Sequence, residues 1–199
     1  MTVAKERLEP LEASEVTVRS AVGRFDDFAE VVGTRKQGAR GCWCMSYRDS
    51  RVENSDRPAY MEQECAAEPG PGVLAYVDGE VAGWCSVAPR SSYRRLVNAR
   101  TIPHVDGLDV WSAVCFVVRP PFRRRGLMHH LLAGAVEHAK NHKAPAVEGY
   151  PVDVEGDRVD VISGYVGTVA LFEAAGFRRA APTTGVSGGV PRVVMRLEF

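Results

Sequence analysis

The run Cys115-Phe116-Val117-Val118-Arg119-Pro120-Pro121-Phe122-Arg123-Arg124-Arg125-Gly126-Leu127-Met128 decides the fold. The residues leading into it, from Val110, are apolar almost throughout, as expected of a strand buried on both faces. Beyond it, Met128, Leu131, Leu132, Ala135, Val136 and Ala139 fall on one stripe, while Glu137, Lys140 and Lys143 face away. That spacing predicts an amphipathic helix ending before Pro145. A strand thus passes through a short basic turn into the first turn of a helix. The leading N–H groups of a helix lack internal acceptors, and the helix dipole is positive there. With arginines beside them and Gly126 letting the backbone close in, these donors make a receptor for phosphate groups. The turn is no Walker loop, since no Gly-Lys-Ser/Thr follows, and it lacks the three spaced glycines of a dinucleotide fingerprint. A solvated basic turn that merely caps the helix is the other reading of the same residues.

Outward from this junction the chain alternates in type. Val16–Val18 predicts a short strand, and Phe25, Phe28, Val31 and Val32 recur at helical spacing before Gly33. A helix after Pro58 carries Tyr60, Met61 and Cys65 up to the breaker Pro69-Gly70-Pro71-Gly72. Val73–Val77, then Asp78-Gly79, then Val81–Val87 reads as a hairpin with a two-residue turn. Residues 91–98 suggest a short helix, Ala146–Tyr150 a strand, and Thr168–Ala175 a helix closed by a left-handed cap at Gly176. Phe177–Ala180 and Val193–Leu197 finish as strands. The order predicts one domain over 1–199, a mixed α/β sheet with helices packed on it.

Two of these segments resemble a known family. Arg123-Arg124-Arg125-Gly126-Leu127-Met128 resembles the Arg/Gln-x-x-Gly-x-Gly/Ala signature of the GNAT N-acetyltransferases, after its usual buried strand. Ala170-Leu171-Phe172-Glu173-Ala174-Ala175-Gly176-Phe177 resembles the family's second mark, a helix and strand reading Ala-Leu-Tyr-Glu-x-x-Gly-Phe. The element order fits from Val16 to Leu197. The segments 41–45, 83–90 and 148–153 are similar to a bacterial subgroup whose acceptors are undefined. The resemblance implies a splayed central sheet and acetyl transfer from acetyl-CoA to an amine by direct attack in a ternary complex. It implies that backbone N–H groups from Arg124 to Met128, with Arg123 and Arg125 beside them, cradle the pyrophosphate. The strand at Phe116, Val117 and Val118 would hold the pantetheine and the thioester carbonyl. Tyr165 stands where an Asn touching the cofactor is common. A module that binds acyl-CoA without turning it over is the alternative.

The chain departs from the family pattern in two places. Met128 replaces a Gly or Ala, though its N–H remains. Phe172 replaces a Tyr that protonates the leaving thiolate in many members, and Phe has no proton to give. Strand 110–118 also carries no carboxylate. Glu148 and Tyr150, two apart on the next strand, share a sheet face. If that face lines the cleft, Glu148 can take a proton through water and Tyr150 can give one. A solvated or ion-paired Glu148 is the alternative, and Asp153 is a weaker candidate of the same kind.

Length and composition fit this picture. A chain of 199 residues, 45% of them hydrophobic, needs no staples of metal or disulfide. Twenty-five basic side chains balance twenty-five acidic ones, which argues against a cationic nucleic-acid coat. Arg94, Arg95, Arg119 and Arg123–Arg125 could make a local patch, but the resemblance gives the turn to pyrophosphate. Five cysteines make no disulfide framework. Cys42 and Cys44 flank Trp43 without a second matching pair, poor spacing for zinc, so no metal is expected. Cys115, within an apolar strand, reads as a small buried hydrophobe. His129, His130, His138 and His142 read as a solvated helix face, and Trp84 and Trp111 as core. No signal peptide and no membrane-length apolar run is expected, hence a cytoplasmic protein. Family members often dimerise, which leaves a homodimer open, and loops 33–58 and 89–108 would build the acceptor pocket.

Overall fold

The computed structural model describes residues 9–34, 41–154 and 165–199. Seven strands form one sheet: β1 (Val16–Ser20), β2 (Gly72–Val77), β3 (Glu80–Pro89), β4 (Trp111–Val118), β5 (Ala146–Gly149), β6 (Arg178–Ser187) and β7 (Val190–Glu198). Their order is β1-β2-β3-β4-β5-β7-β6. Every neighbouring pair is antiparallel except β4 and β5. The helices are α1 (Phe25–Val32), α2 (Arg57–Cys65), α3 (Arg94–Val97), α4 (Leu127–Asn141) and α5 (Val169–Ala174). The expected α/β sheet with helices on it is therefore present, and the hairpin turns at Asp78 and Gly79, both left-handed.

Alternation along the strands sorts the core into layers. On β2, Val73 and Ala75 join a cluster with Phe116, Leu131, Leu132 and Phe172 under α4 and α5. Leu74, between them, points the other way, into a cluster with Phe28, Met45, Met61 and Trp84 under α1 and α2. A third cluster, on the face away from α4, gathers Tyr93, Leu96, Ile102, Val114 and Tyr150. Trp84 and Trp111 are core, as their strand positions predict.

The histidine row departs from expectation. His138 is buried, 8% exposed. It sits edge-on to Trp111 at 5.4 Å, its Nε2 is 2.9 Å from the Pro69 carbonyl, and burial pushes its pKa down. Position 138 lies two turns beyond Leu131 and one beyond Ala135 on the same stripe, so the ring is core by placement. His142 stacks on Trp111 at 5.3 Å.

Two features of β4 set the geometry at the centre of the sheet. Ser86 pairs with Cys115 and Val87 with Ala113, so Val114 is an extra, bulged residue. Val114 and Cys115 consequently both pack on the face away from α4, while Ala113 and Phe116 pack toward it. Second, β4 pairs with β5 only over Trp111–Ala113 against Val147–Gly149, and beyond that the two strands part. The ring of Phe172 fills the space behind the parting, 6.2 Å from Phe116 and 5.0 Å from Phe177. A Cβ on Gly149 would overlap that ring. Gly149→Ala is therefore expected to cost about 3 kcal/mol by overpacking. At this chain length that lowers Tm by roughly 6–12 °C, read by thermal denaturation.

Candidate active site

The parting of β4 from β5 opens a cleft of about 510 Å³ on the α4 side of the sheet. Phe116, Val117 and Val118 form one wall, Tyr165, Gly167 and Thr168 another, and the turn Arg123–Met128 the end. The Phe116 N–H donates to the Tyr165 carbonyl at 2.7 Å, so the 116 peptide faces away from β3. The Arg119 N–H donates to Ala82 on β3 at 2.9 Å, which puts residues 117 and 119 on the β3 side. By the same alternation the N–H and C=O of Val118 face the cleft. The carbonyl accepts from Arg123 Nε at 2.8 Å, while the N–H has no described acceptor.

The turn at the cleft's end uses left-handed backbone twice, at Arg124 (φ 62°) and Gly126 (φ 82°). For a non-glycine such as Arg124 this conformation stores strain, of the kind found at ligand-binding turns. Gly126 is the N-cap of α4, with no side chain to cap the helix. Among the described residues the N–H groups of Arg124 to Met128 find no acceptor. They form a row of free donors at the positive end of a fifteen-residue helix.

The three arginines of the turn are not equivalent. Arg123 and Arg124 line the cleft. Arg125 turns away from it, donating from Nε to the Glu9 carbonyl at 3.0 Å, with Glu15 at 3.9 Å. It pins the segment 9–15 behind the turn, helped by a bond from the Leu11 N–H to its own carbonyl. Arg119 is neutralised by Glu30 and Glu80, both at 2.9 Å. The charge left for a ligand is thus narrower than the sequence suggests. Met128 is half-buried in the wall, and Tyr165 lines the cleft half-exposed. Phe172 is fully buried behind the lining and does not reach the cleft.

Glu148 and Tyr150 share a face, as their spacing predicts, but it is the face away from α4, and neither lines the cleft. Glu148 is buried and accepts from Arg196 Nη2 at 2.8 Å and from the Tyr150 hydroxyl at 2.9 Å, with Arg90 at 3.6 Å. Tyr150 also accepts from Arg90 at 2.6 Å and contacts the Ser112 hydroxyl at 2.9 Å. Burial, then the charge of Glu148, pushes the phenol well above its ordinary pKa. Asp153 is taken by Arg179 at 2.5 Å. The condition that this face line the cleft is not met, because the parting opens toward α4. The sequence reading missed Arg90 and Arg196, which no local pattern ties to Glu148.

Cys115 lies half-buried on the opposite face of β4 from the cleft. Its thiol hydrogen-bonds to Cys44, which pushes Cys115 above and Cys44 below the usual thiol range. Cys44 also accepts from Trp84 Nε1 at 2.9 Å. Among the described residues no group of three or more His, Cys, Asp or Glu could hold a metal, and no helix is long and apolar enough to cross a membrane. Residues 35–40 of the 33–58 loop lie outside the described residues.

A hollow of similar size, about 560 Å³, opens beside β6 and β7. Its Arg196 and Arg179 are already paired with Asp106 and Asp153. The cleft by α4 differs in offering donors that no described residue satisfies.

The sequence model of the Acetyltransferase (GNAT) family matches residues 40–177. No curated protein sequence matches the chain. Among solved structures, the fold is similar to YncA of Salmonella typhimurium, solved with its cofactor acetyl-CoA. That likeness has 16% identity, covers 92% of this chain and 94% of that one, and has a TM-score of 0.51. A GNAT-family acetyltransferase from Streptococcus pneumoniae gives 14% identity, coverage of 93% and 99%, and a TM-score of 0.54. A ribosomal-protein-alanine N-acetyltransferase from Brucella melitensis gives 16% identity, coverage of 92% and 99%, and a TM-score of 0.52. At these identities the likeness is one of fold.

Proposed function

Since the chain belongs to the GNAT acetyltransferase family, we propose that it moves the acetyl group of acetyl-CoA to an amine by direct attack in a ternary complex. The row of unsatisfied N–H groups from Arg124 to Met128, at the end of an apolar cleft, carries this reading. The pyrophosphate sits on those donors, with Arg123 and Arg124 beside it. The pantetheine runs along Phe116–Val118 between that wall and Tyr165. The free Val118 N–H then faces the thioester carbonyl and stabilises its developing oxyanion, a preorganised dipole that needs no reorganisation.

The rest is positioning. A neutral amine attacks the thioester carbon, the C–N bond forms, the C–S bond breaks, and CoA leaves as thiolate. A thiol pKa of about 8.5 lets it leave without the proton that Phe172 lacks. The proton shed by the amine passes to water, since the described lining residues include no carboxylate and the one imidazole among them, His129, faces solvent. Glu148 and Tyr150 act here as positioning residues that fix β5 where it leaves β4. The scarcity of acid and base groups also favours the binding-only alternative, which turnover of any amine would exclude.

Calorimetric titration with acetyl-CoA tests the reading, followed by a screen of amines for CoA release. Binding is expected, weakened about 10-fold by Arg124→Ala, the loss of one partly exposed charged contact. Arg125→Ala, whose guanidinium faces segment 9–15, should leave the affinity within about twofold. No binding of acetyl-CoA to the wild type sinks the proposal.

A further inference from the structure

Two sulfurs meet in the core layer under α1 and α2, those of Cys44 and Cys115. Cys42-Trp43-Cys44-Met45 is a turn closed by the Met45 N–H, which donates to the Cys42 carbonyl at 2.9 Å. Both central residues, Trp43 (φ 48°) and Cys44 (φ 56°), have left-handed backbone. Turns of that kind normally carry Gly, Asn or Asp, and a bulky side chain there is held against strain. The turn leaves Cys42 exposed and drives Cys44 inward, to 5% exposure.

Below the turn run β3 and β4. Trp84 and Ser86, two apart on β3, share a face, and Cys115 stands opposite Ser86 on β4. The Cys44 sulfur rests on this patch among donors. It accepts from Trp84 Nε1 at 2.9 Å, from the Cys115 thiol and from the Ser86 hydroxyl. The guanidinium of Arg48, itself buried, adds positive charge. The bond from Cys115, with the other donors, outweighs burial and holds Cys44 below the usual thiol range. A cysteine that serves only as a small hydrophobe has no use for such a set of donors. A donor-stabilised sulfur with a second thiol directed at it is the arrangement from which a thiol reacts with peroxide and is then resolved as a disulfide.

We propose that Cys44 and Cys115 form a peroxide-reactive pair, with Cys44 the attacking sulfur and Cys115 the resolving one. The oxidant is a hydroperoxide as small as hydrogen peroxide, which can reach a sulfur closed to larger reagents. The Cys44 thiolate attacks one peroxide oxygen and the S–O bond forms as the O–O bond breaks. The departing hydroxide takes the Cys115 proton and leaves as water. The Cys115 thiolate then attacks the sulfenic sulfur of Cys44, the S–S bond forms, and hydroxide leaves. The two sulfurs together lose two electrons, and the peroxide gains them. The new bond fastens the 42–45 turn to β4 at the residue before Phe116, where the cleft wall begins.

The test treats the full reduced chain with hydrogen peroxide and maps its thiols by mass spectrometry without reductant. Two of the five cysteines should be lost to a Cys44–Cys115 cross-link, about 10-fold faster than free cysteine is oxidised at neutral pH. Dithiothreitol should restore both thiols. In Cys115→Ser the reaction should instead leave oxygen on Cys44, and in Cys42→Ser the cross-link should form as in the wild type. Cys42 is exposed, so its serine variant keeps the fold even if the change at Cys115 does not. Oxidation that goes first to Cys42 and leaves Cys44 and Cys115 as thiols would overturn the inference. So would a rate no faster than that of free cysteine, or a cross-link that disappears in Cys42→Ser.

Discussion

Gly126→Asp is expected to abolish acetyl-CoA binding, a loss of at least about 100-fold, while leaving the protein folded. Two opposing effects on stability make the variant informative. Gly126 has φ 82°, so an L-residue there carries a backbone penalty of about 1 kcal/mol, lowest for Asp and Asn. Its Cβ would meet nothing within 4 Å, and an Asp at the N-cap of α4 accepts from the free amides and suits the helix dipole. Thermal denaturation should therefore change little. Binding should vanish for the same reason, because the new carboxylate occupies the donors meant for pyrophosphate and repels its charge. Gly126→Ala carries the backbone penalty without the anion and should weaken binding only a few-fold, about what ~1 kcal/mol implies. Wild-type affinity in Gly126→Asp would move the cofactor site elsewhere.

The largest effect on stability is expected from Arg196→Met. Its guanidinium joins Glu148, buried at 1% exposure, to Asp106 on the loop before β4. The hydrogen bond to Asp106, with Glu148 beside it, raises the pKa of the guanidinium further. Removing the arginine strands the Glu148 carboxylate next to Tyr150, with Arg90 at 3.6 Å as its remaining cation. Breaking a buried pair in this way costs about 4 kcal/mol. At this chain length Tm should fall by roughly 8–16 °C. Glu148→Gln keeps the shape and most of the hydrogen bonds and should fall by less than half as much. Equal losses from the two variants would mean that the carboxylate matters for something other than neutralising Arg196.

The contrast between Gly126 and Glu148 also marks how far sequence carries the reading. The turn at Gly126 was legible because its whole logic is local: a strand, a glycine and a helix stripe within one short run. The same holds for the Asp78-Gly79 hairpin and for the Gly176 cap, which has φ 87°. Even His138 was legible in principle, since its stripe position counted for more than its residue type. The partners of Glu148 were not legible, because Arg90 and Arg196 reach it from distant strands. Nor was the full length of β6, whose outer residues are mostly exposed and polar at the sheet's edge and leave no apolar run to find.

The short pairing of β4 with β5 has a mechanical consequence. Three residues on each strand stitch β1–β4 to β5–β7–β6, so the sheet is two panels on a narrow seam. Amide exchange should then occur panel by panel, with protection lowest along the seam. A molecule lying in the gap bridges both panels, one edge on Phe116–Val118 and the other on Tyr165–Thr168, and completes the sheet where its own strands do not meet. At a hundred times its Kd such a ligand adds about 2.7 kcal/mol of stability. That gain would be concentrated at the seam, so the protein is at its stiffest when it is loaded and ready to react.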